Sequence, residues 1–304
     1  MDSEDQGSKP PDSLRKLMAG AVDYAGLFPP SQLSMQDAVL NYALNRAGVY
    51  NWMLGRFVLP AARLDEFLEF ASPHLSRGRE GWRLSVLAGE NVNETMRQIA
   101  AFNKKNAPSV FCDSLEVKAA SVSKIENTVA ALPDDLTTYF EVATDEKFVE
   151  LVSTLALRGQ RAKIRTGGVV PEAFPKSIDI IKFVRTCAAA NVPFKATAGL
   201  HHPIRAFRPL TYSETGPKGT MHGFLNLFLM AGFVRAGFKP KTLEELMEEE
   251  FDEVFKFVDD GITWRGEYVL TTFQIEQLRE AGIQSFGSCS FDEPVADLQA
   301  LGLL

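Results

Sequence analysis

The chain has 304 residues, with 32 lysines and arginines against 39 acidic residues, so its net charge is −7; 45% of it is apolar and 23% charged. That composition excludes wholesale disorder, a collagen-like fibre and a membrane-embedded chain. An acidic chain is also a poor match for the phosphate backbone of nucleic acid, although it can still hold a locally cationic pocket for a small anion.

Residues 1–12 are polar and read as a disordered tail, lacking the basic start and apolar stretch of a secretory signal. The three cysteines, Cys112, Cys187 and Cys289, are widely spaced and form no CxxC pair, which predicts a reducing, cytoplasmic setting. From residue 13 onward, short β-rich runs alternate with stretches of helical period. The strands fall at 19–25, 55–59, 83–88, 114–119, 138–143, 162–166, 193–198 and 284–288. Helices fall between them at 34–47, 62–71, 93–103, 122–131, 145–157 and 177–190, the first capped by Ser34. Eight strands in a βα rhythm predict a single α/β domain over 13–304, a (β/α)8 TIM-like barrel. The last connection is oversized, with an enlarged helical insertion at about 203–260 between strands seven and eight. It is expected to hold an apolar helix at 222–236, an acidic one at 242–258 with a solvated face, and a short strand at 262–264; a helix at 272–281 leads into the last strand. The apolar run 224–234 is too short to cross a bilayer, which takes about 20 residues, so no membrane partner is expected. Whether that helix buries against the barrel or forms a homo-oligomer stays open.

Strand side chains alternate between two faces. Placing Val22, Tyr24, Phe57, Leu59, Leu115, Val117, Phe140, Val142, Ile164, Phe194 and Ala196 toward the helices turns their neighbours inward. The inward set is then Asp23, Arg56, Glu116, Lys118, Tyr139, Glu141, Lys163, Arg165, Lys195 and Thr197. Ionised groups are rarely buried unless paired, and a purely structural barrel interior carries Val, Ile and Leu instead. Five cations against three anions in that set predict a small anionic metabolite as partner, a phosphate or carboxylate completing the balance. Thr166, Gly167 and Gly168 follow strand six directly and can bring backbone N–H groups to such an anion, with Arg56, Arg165, Thr197, His201 and Asp23 completing the binding set.

Two chemistries fit this pocket. A lysine amine attacks a carbonyl only when neutral, and bringing it from about 10.4 to about 7–8 takes roughly 4 kcal/mol. Desolvation and neighbouring cations can supply that, so Lys163 or Lys195 is expected to be lowered by the other and by Arg165, with Glu116 or Glu141 moving protons. That reading needs no cofactor. The alternative is a divalent-metal lyase or hydrolase, with zinc on His201, His202 and His222. A third reading, a non-catalytic binding protein for a small anion, shares the same pocket.

The segment Lys163-Ile164-Arg165-Thr166-Gly167 resembles the Lys-x-x-Thr-Gly strand of the deoxyribose-phosphate aldolase family. The segment Phe194-Lys195-Ala196-Thr197-Ala198-Gly199 resembles the next strand of that family. The resemblance implies a class I aldolase in which Lys163 forms the Schiff base and Lys195 perturbs it. It covers these two strands only. The second strand continues into Leu200-His201-His202-Pro203 rather than the family's glycine pair, and no counterpart of the family's relay aspartate is evident.

Other signals are weaker. The run 24–30 can form an aromatic wall over the pocket, and Arg205 and Arg208, near Tyr212 and Glu214, can clamp an acidic substrate. Cys289 follows the last strand, but no sequence feature supplies the base that a cysteine nucleophile needs, so a packed, inert role is expected.

Overall fold

Apolar residues at every second strand position and along one helix stripe must be covered, and strands alternating with helices can do so by closing into a ring. The computed structural model describes residues 9–75 and 80–304 and shows that closure. In chain order the first part runs α1 (Asp12–Met18), β1 (Val22–Tyr24), α2 (Met35–Ala47), β2 (Leu54–Pro60), α3 (Leu64–Ala71), β3 (Trp82–Leu87), α4 (Val92–Asn106) and β4 (Val110–Lys118). It continues with α5 (Val122–Val129), β5 (Thr137–Glu141), α6 (Phe148–Leu157), β6 (Arg161–Arg165), α7 (Ser177–Ala189) and β7 (Phe194–Thr197). An elaborated segment follows: β8 (Ala206–Pro209), β9 (Lys218–Met221), α8 (Phe224–Arg235), α9 (Pro240–Met247), β10 (Phe255–Val258), β11 (Gly261–Trp264), β12 (Tyr268–Thr271) and α10 (Thr272–Ala281). The chain returns through β13 (Ile283–Ser288) and ends on α11 (Asp292–Ala300). Eight parallel strands close in the order β1-β13-β7-β6-β5-β4-β3-β2, a (β/α)8 TIM-like barrel. Ser34 caps α2 as its sequence predicts, accepting from the Asp37 N–H at 3.1 Å.

Four expectations need correction. The tail expected over 1–12 lies outside the described residues up to residue 8, and Asp12 already starts α1. That helix forms because Leu14, Leu17 and Met18 share one face, which is fully buried. The acidic helix expected over 242–258 stops at Met247, and the chain then turns into the antiparallel sheet β10-β11-β12. Its acidic run is not all solvated: the Glu249 carboxylate is buried, accepts from the Trp264 indole at 3.2 Å and pairs with Arg265 at 2.8 Å. Those partners pull residue 249 inward, which a continued helix would not allow. The fourth strand starts at Val110, not 114, and Asp113 is skipped where Leu84 pairs Cys112 and Ser85 pairs Ser114. Finally, β8 and β9 form an antiparallel ribbon in a stretch expected to be loop.

The apolar helix α8 buries Phe224, Leu225, Leu227, Phe228, Leu229 and Met230 completely, and Phe224 stacks on Phe286 of β13 at 5.0 Å. Each such side chain contributes about 1.5–3 kcal/mol on burial, which explains why this helix lacks a polar face. No helix among the described residues is long and apolar enough to cross a membrane.

Candidate active site

The alternation of β1, β4, β5, β6 and β7 turns Asp23, Glu116, Glu141, Lys163 and Lys195 into the barrel, where they form one connected network. Lys163 Nζ donates to Glu116 Oε2 at 2.5 Å and pairs with Glu141 Oε2 at 2.9 Å. Lys195 Nζ donates to Asp23 Oδ2 at 2.5 Å and to Glu116 Oε1 at 2.7 Å. Glu116 therefore bridges two lysines that are directly paired across β6 and β7. Hydroxyls hold the carboxylates from below: Ser85 donates to Glu116 at 2.8 Å and Ser285 to Asp23 at 2.7 Å, while the Arg56 N–H donates to Asp23 at 2.8 Å. The Lys195 ammonium also lies 5.3 Å from the centre of the Tyr139 ring.

Burial pushes the Asp23, Glu116 and Glu141 carboxyls up, but the lysine charges and hydrogen bonds outweigh it and hold all three below the usual carboxylate range. For Lys195, burial favours the neutral amine, yet Asp23 and Glu116 outweigh burial and raise it, so it stays charged. This overturns the expectation that neighbouring cations lower Lys195. Carboxylates stand between the two ammonium groups.

The expected cationic surplus is absent for the same reason. Arg56 does point toward the axis, but at the amino end of the barrel, where Asp113 takes its guanidinium at 2.7 and 2.9 Å and also pairs with Arg83 at 2.6 Å. Lys118 lies one inward step past Glu116 and emerges exposed at the rim. Three cations, Lys163, Lys195 and Arg165, then face three carboxylates, Asp23, Glu116 and Glu141. Arg165 is the loosest of these: its side chain is 53% exposed and 3.5 Å from Glu141.

A cavity of about 260 Å³ opens above the network at the carboxyl ends of the strands. Lys163, Lys195, Glu116, Arg165, Thr197 and His201 reach it, as does Gly168. Phe28 and Pro29 form one apolar wall, as the run 24–30 suggests. Thr166 and Gly167 do not serve it directly. Thr166 donates to the Ala198 carbonyl at 2.7 Å. A Cβ on Gly167 would meet the Phe174 ring at 2.5 Å and the Gly199 Cα at 2.8 Å, so this glycine permits the β6 and β7 loops to touch. A second cavity of about 510 Å³ adjoins through His201 and is lined by His202, Arg208, Tyr212, Glu214 and Lys218. Arg205 turns away to pair with Glu250.

The three histidines do not assemble a zinc site. His201 pairs with Glu293 at 3.0 Å, His202 with Asp297 at 2.6 Å, and His222 Nε2 with the Pro175 carbonyl at 2.8 Å. No group of three or more His, Cys, Asp or Glu side chains placed to hold a metal exists among the described residues. Glu293 and Asp297 come from α11, a helix the sequence reading left out. Its signal was present: the Ser290 hydroxyl accepts from the Glu293 N–H at 3.2 Å, the Ser-x-x-Glu spacing of a helix start.

The fold and site together define a (β/α)8 barrel with a buried lysine pair at its carboxyl-end cavity. No protein-family model matches the chain, and no functionally curated protein matches it either.

Proposed function

We propose that the protein is a class I aldolase-type lyase acting on a small carbonyl compound that bears a carboxylate or phosphate. The observation that carries this reading is the buried Lys163–Glu116–Lys195 bridge beneath an open cavity. Lys195 is clamped by two carboxylates and stays charged, so it serves as a fixed cation. Lys163 is the nucleophile. Its second partner, Glu141, is 17% exposed and offers the proton a route to solvent. Lys163 passes its ammonium proton to Glu141, the neutral Nζ adds to the carbonyl carbon, and the C=O pair moves to oxygen, which takes that proton back from Glu141 while Lys195 stays charged beside it. Loss of water leaves a protonated imine. That imine draws in the electrons of the adjacent C–C bond, which breaks, while a carboxylate takes the proton of the departing hydroxyl. The resulting enamine is reprotonated at carbon, and hydrolysis of the imine frees Lys163.

The resemblance of β6 and β7 to deoxyribose-phosphate aldolases points the same way. Arg165 at the mouth, together with Arg208 and Lys218 in the adjoining cavity, supports an anionic substrate. Because the two buried lysines are already matched by Asp23, Glu116 and Glu141, this preference rests on the rim and not on the interior. Imine formation expels the carbonyl oxygen, so the protein is expected to speed loss of 18O from labelled small aldehydes and hydroxyketones into water, read by mass spectrometry. Lys163→Arg keeps the charge and is expected to abolish this. Equal wash-out in the variant would sink the proposal.

A further inference from the structure

The opposite wall of the same cavity carries a second group of reactive side chains. Cys289 follows β13, and its Sγ lies 3.8 Å from His201 Nδ1. The same ring nitrogen faces Glu293 Oε2 at 3.0 Å, and the Tyr212 hydroxyl lies 3.7 Å from the sulfur. Ser31 anchors the backbone there, donating to the Cys289 carbonyl at 3.2 Å. Both Cys289 and His201 line the 260 Å³ cavity, which they share with Lys163, Lys195, Glu116 and Arg165. His201 Nε2 makes no hydrogen bond among the described residues, and the ring also reaches the adjoining cavity.

We infer that Cys289 is a nucleophilic thiolate site for the carbonyl carbon of a small aldehyde, with His201 as its proton donor and Glu293 as the residue that positions His201. The arrangement is that of an activated cysteine: sulfur beside an imidazole, and the imidazole beside a carboxylate. Burial pulls His201 down, but its hydrogen bonds with Cys289 and Glu293 outweigh it and raise it to about 9, so the ring is an imidazolium at neutral pH. Burial pushes the Cys289 thiol up, but His201 outweighs it and brings the thiol below its ordinary range. The other two cysteines show the contrast. Burial, helped by the Asp113 charge, pushes Cys112 up to about 12, burial alone raises Cys187, and neither lines the cavity.

The step balances. The thiolate forms a C–S bond to the aldehyde carbon, the C=O pair moves to oxygen, and the imidazolium proton of His201 passes to that oxygen. A neutral hemithioacetal and a neutral imidazole result, with no oxidant or cofactor required. The site stands independently of the lysine chemistry, although an aldehyde admitted to the cavity meets both groups.

The test alkylates the full-length protein with iodoacetamide from pH 5 to 9 and maps adducts by peptide mass spectrometry, with glutathione as the reference thiol. Cys289 is expected to react at pH 6 at least tenfold faster than glutathione, with Cys112 and Cys187 unmodified. His201→Gln should remove most of that advantage, and Glu293→Gln should move the midpoint of the pH profile upward. In parallel, [1-13C]acetaldehyde is followed by carbon NMR, in which a hemithioacetal carbon is distinct from an imine carbon. The hemithioacetal signal should appear with the wild-type protein and vanish after alkylation. A Cys289 rate at or below that of glutathione at pH 6 overturns the proposal, and so does an imine signal alone, which would leave the lysine reading intact. The wild-type pH profile decides the matter even if His201→Gln fails to fold.

Discussion

Replacing Glu116 by glutamine tests whether the lysine bridge is a real electrostatic unit. The carboxylate accepts from Lys163 at 2.5 Å, Lys195 at 2.7 Å and Ser85 at 2.8 Å. An amide keeps one acceptor oxygen and turns an N–H₂ donor toward an ammonium. The lysine side chains are only 4% and 2% exposed, so water cannot take over. Removing one partner of a buried pair costs about 3–5 kcal/mol. An upper limit follows from the alternative of discharging one lysine, which at pH 7 costs roughly 1.4 kcal/mol for each unit below about 10.4, or about 5 kcal/mol. Urea denaturation followed by circular dichroism should therefore show Glu116→Gln less stable by about 3–5 kcal/mol at pH 7. The sign of the pH dependence is also set. If a lysine is forced neutral in the folded variant, the unfolded state binds more protons, so the stability of the variant rises with pH relative to wild type. Between pH 7 and 9 the deficit should shrink by about 2–3 kcal/mol. A deficit under about 1 kcal/mol at pH 7, or one that does not change with pH, would show that the bridge is not an electrostatic unit.

Other consequences follow from the same geometry. Arg165→Gln should change stability by less than about 1 kcal/mol, because the side chain is half exposed and its pair with Glu141 is long; its effect should appear as a higher KM for anionic aldehydes with kcat nearly unchanged. Thermal melts against pH should show acid loss. Asp23, Glu116 and Glu141 are held below their ordinary values, so their contribution is complete above about pH 4 and disappears as pH falls further, whereas a melting temperature flat from pH 5 to 2 would contradict the network. Gly167→Ala should destabilise by about 1–3 kcal/mol in the same urea assay, because the new methyl meets the Phe174 ring and the Gly199 backbone; an unchanged midpoint would show that the two loops can separate freely.

Much of the barrel interior was legible because charged residues at alternate positions of an apolar strand have only one place to go. Alternation brings Asp23, Glu116, Glu141, Lys163 and Lys195 together, and all five join one network. Alternation assigns a face but not a height along the axis. Strand stagger sets height, and it sends Arg56 to the amino end and Lys118 out past the rim. This is why the count of interior charges misjudged the balance. Asp113 escaped notice because it sits in a bulge, where the period of two breaks. The partners of the histidines could not be read because Glu293 and Asp297 approach from α11, about 90 residues away in the chain. The same separation concealed the base beside Cys289, so a cysteine expected to be inert turns out to face an imidazole.

Schiff-base chemistry requires that a lysine Nζ form the covalent bond to a carbonyl substrate. Reduction with borohydride during incubation with a panel of small anionic aldehydes and hydroxyketones, followed by peptide mapping, reads that atom directly. One reduced adduct per chain is expected, on Lys163, with Lys195 unmodified. A fixed mass on Lys195 alone, or none with any carbonyl compound that the protein turns over, would contradict Lys163 as the nucleophile.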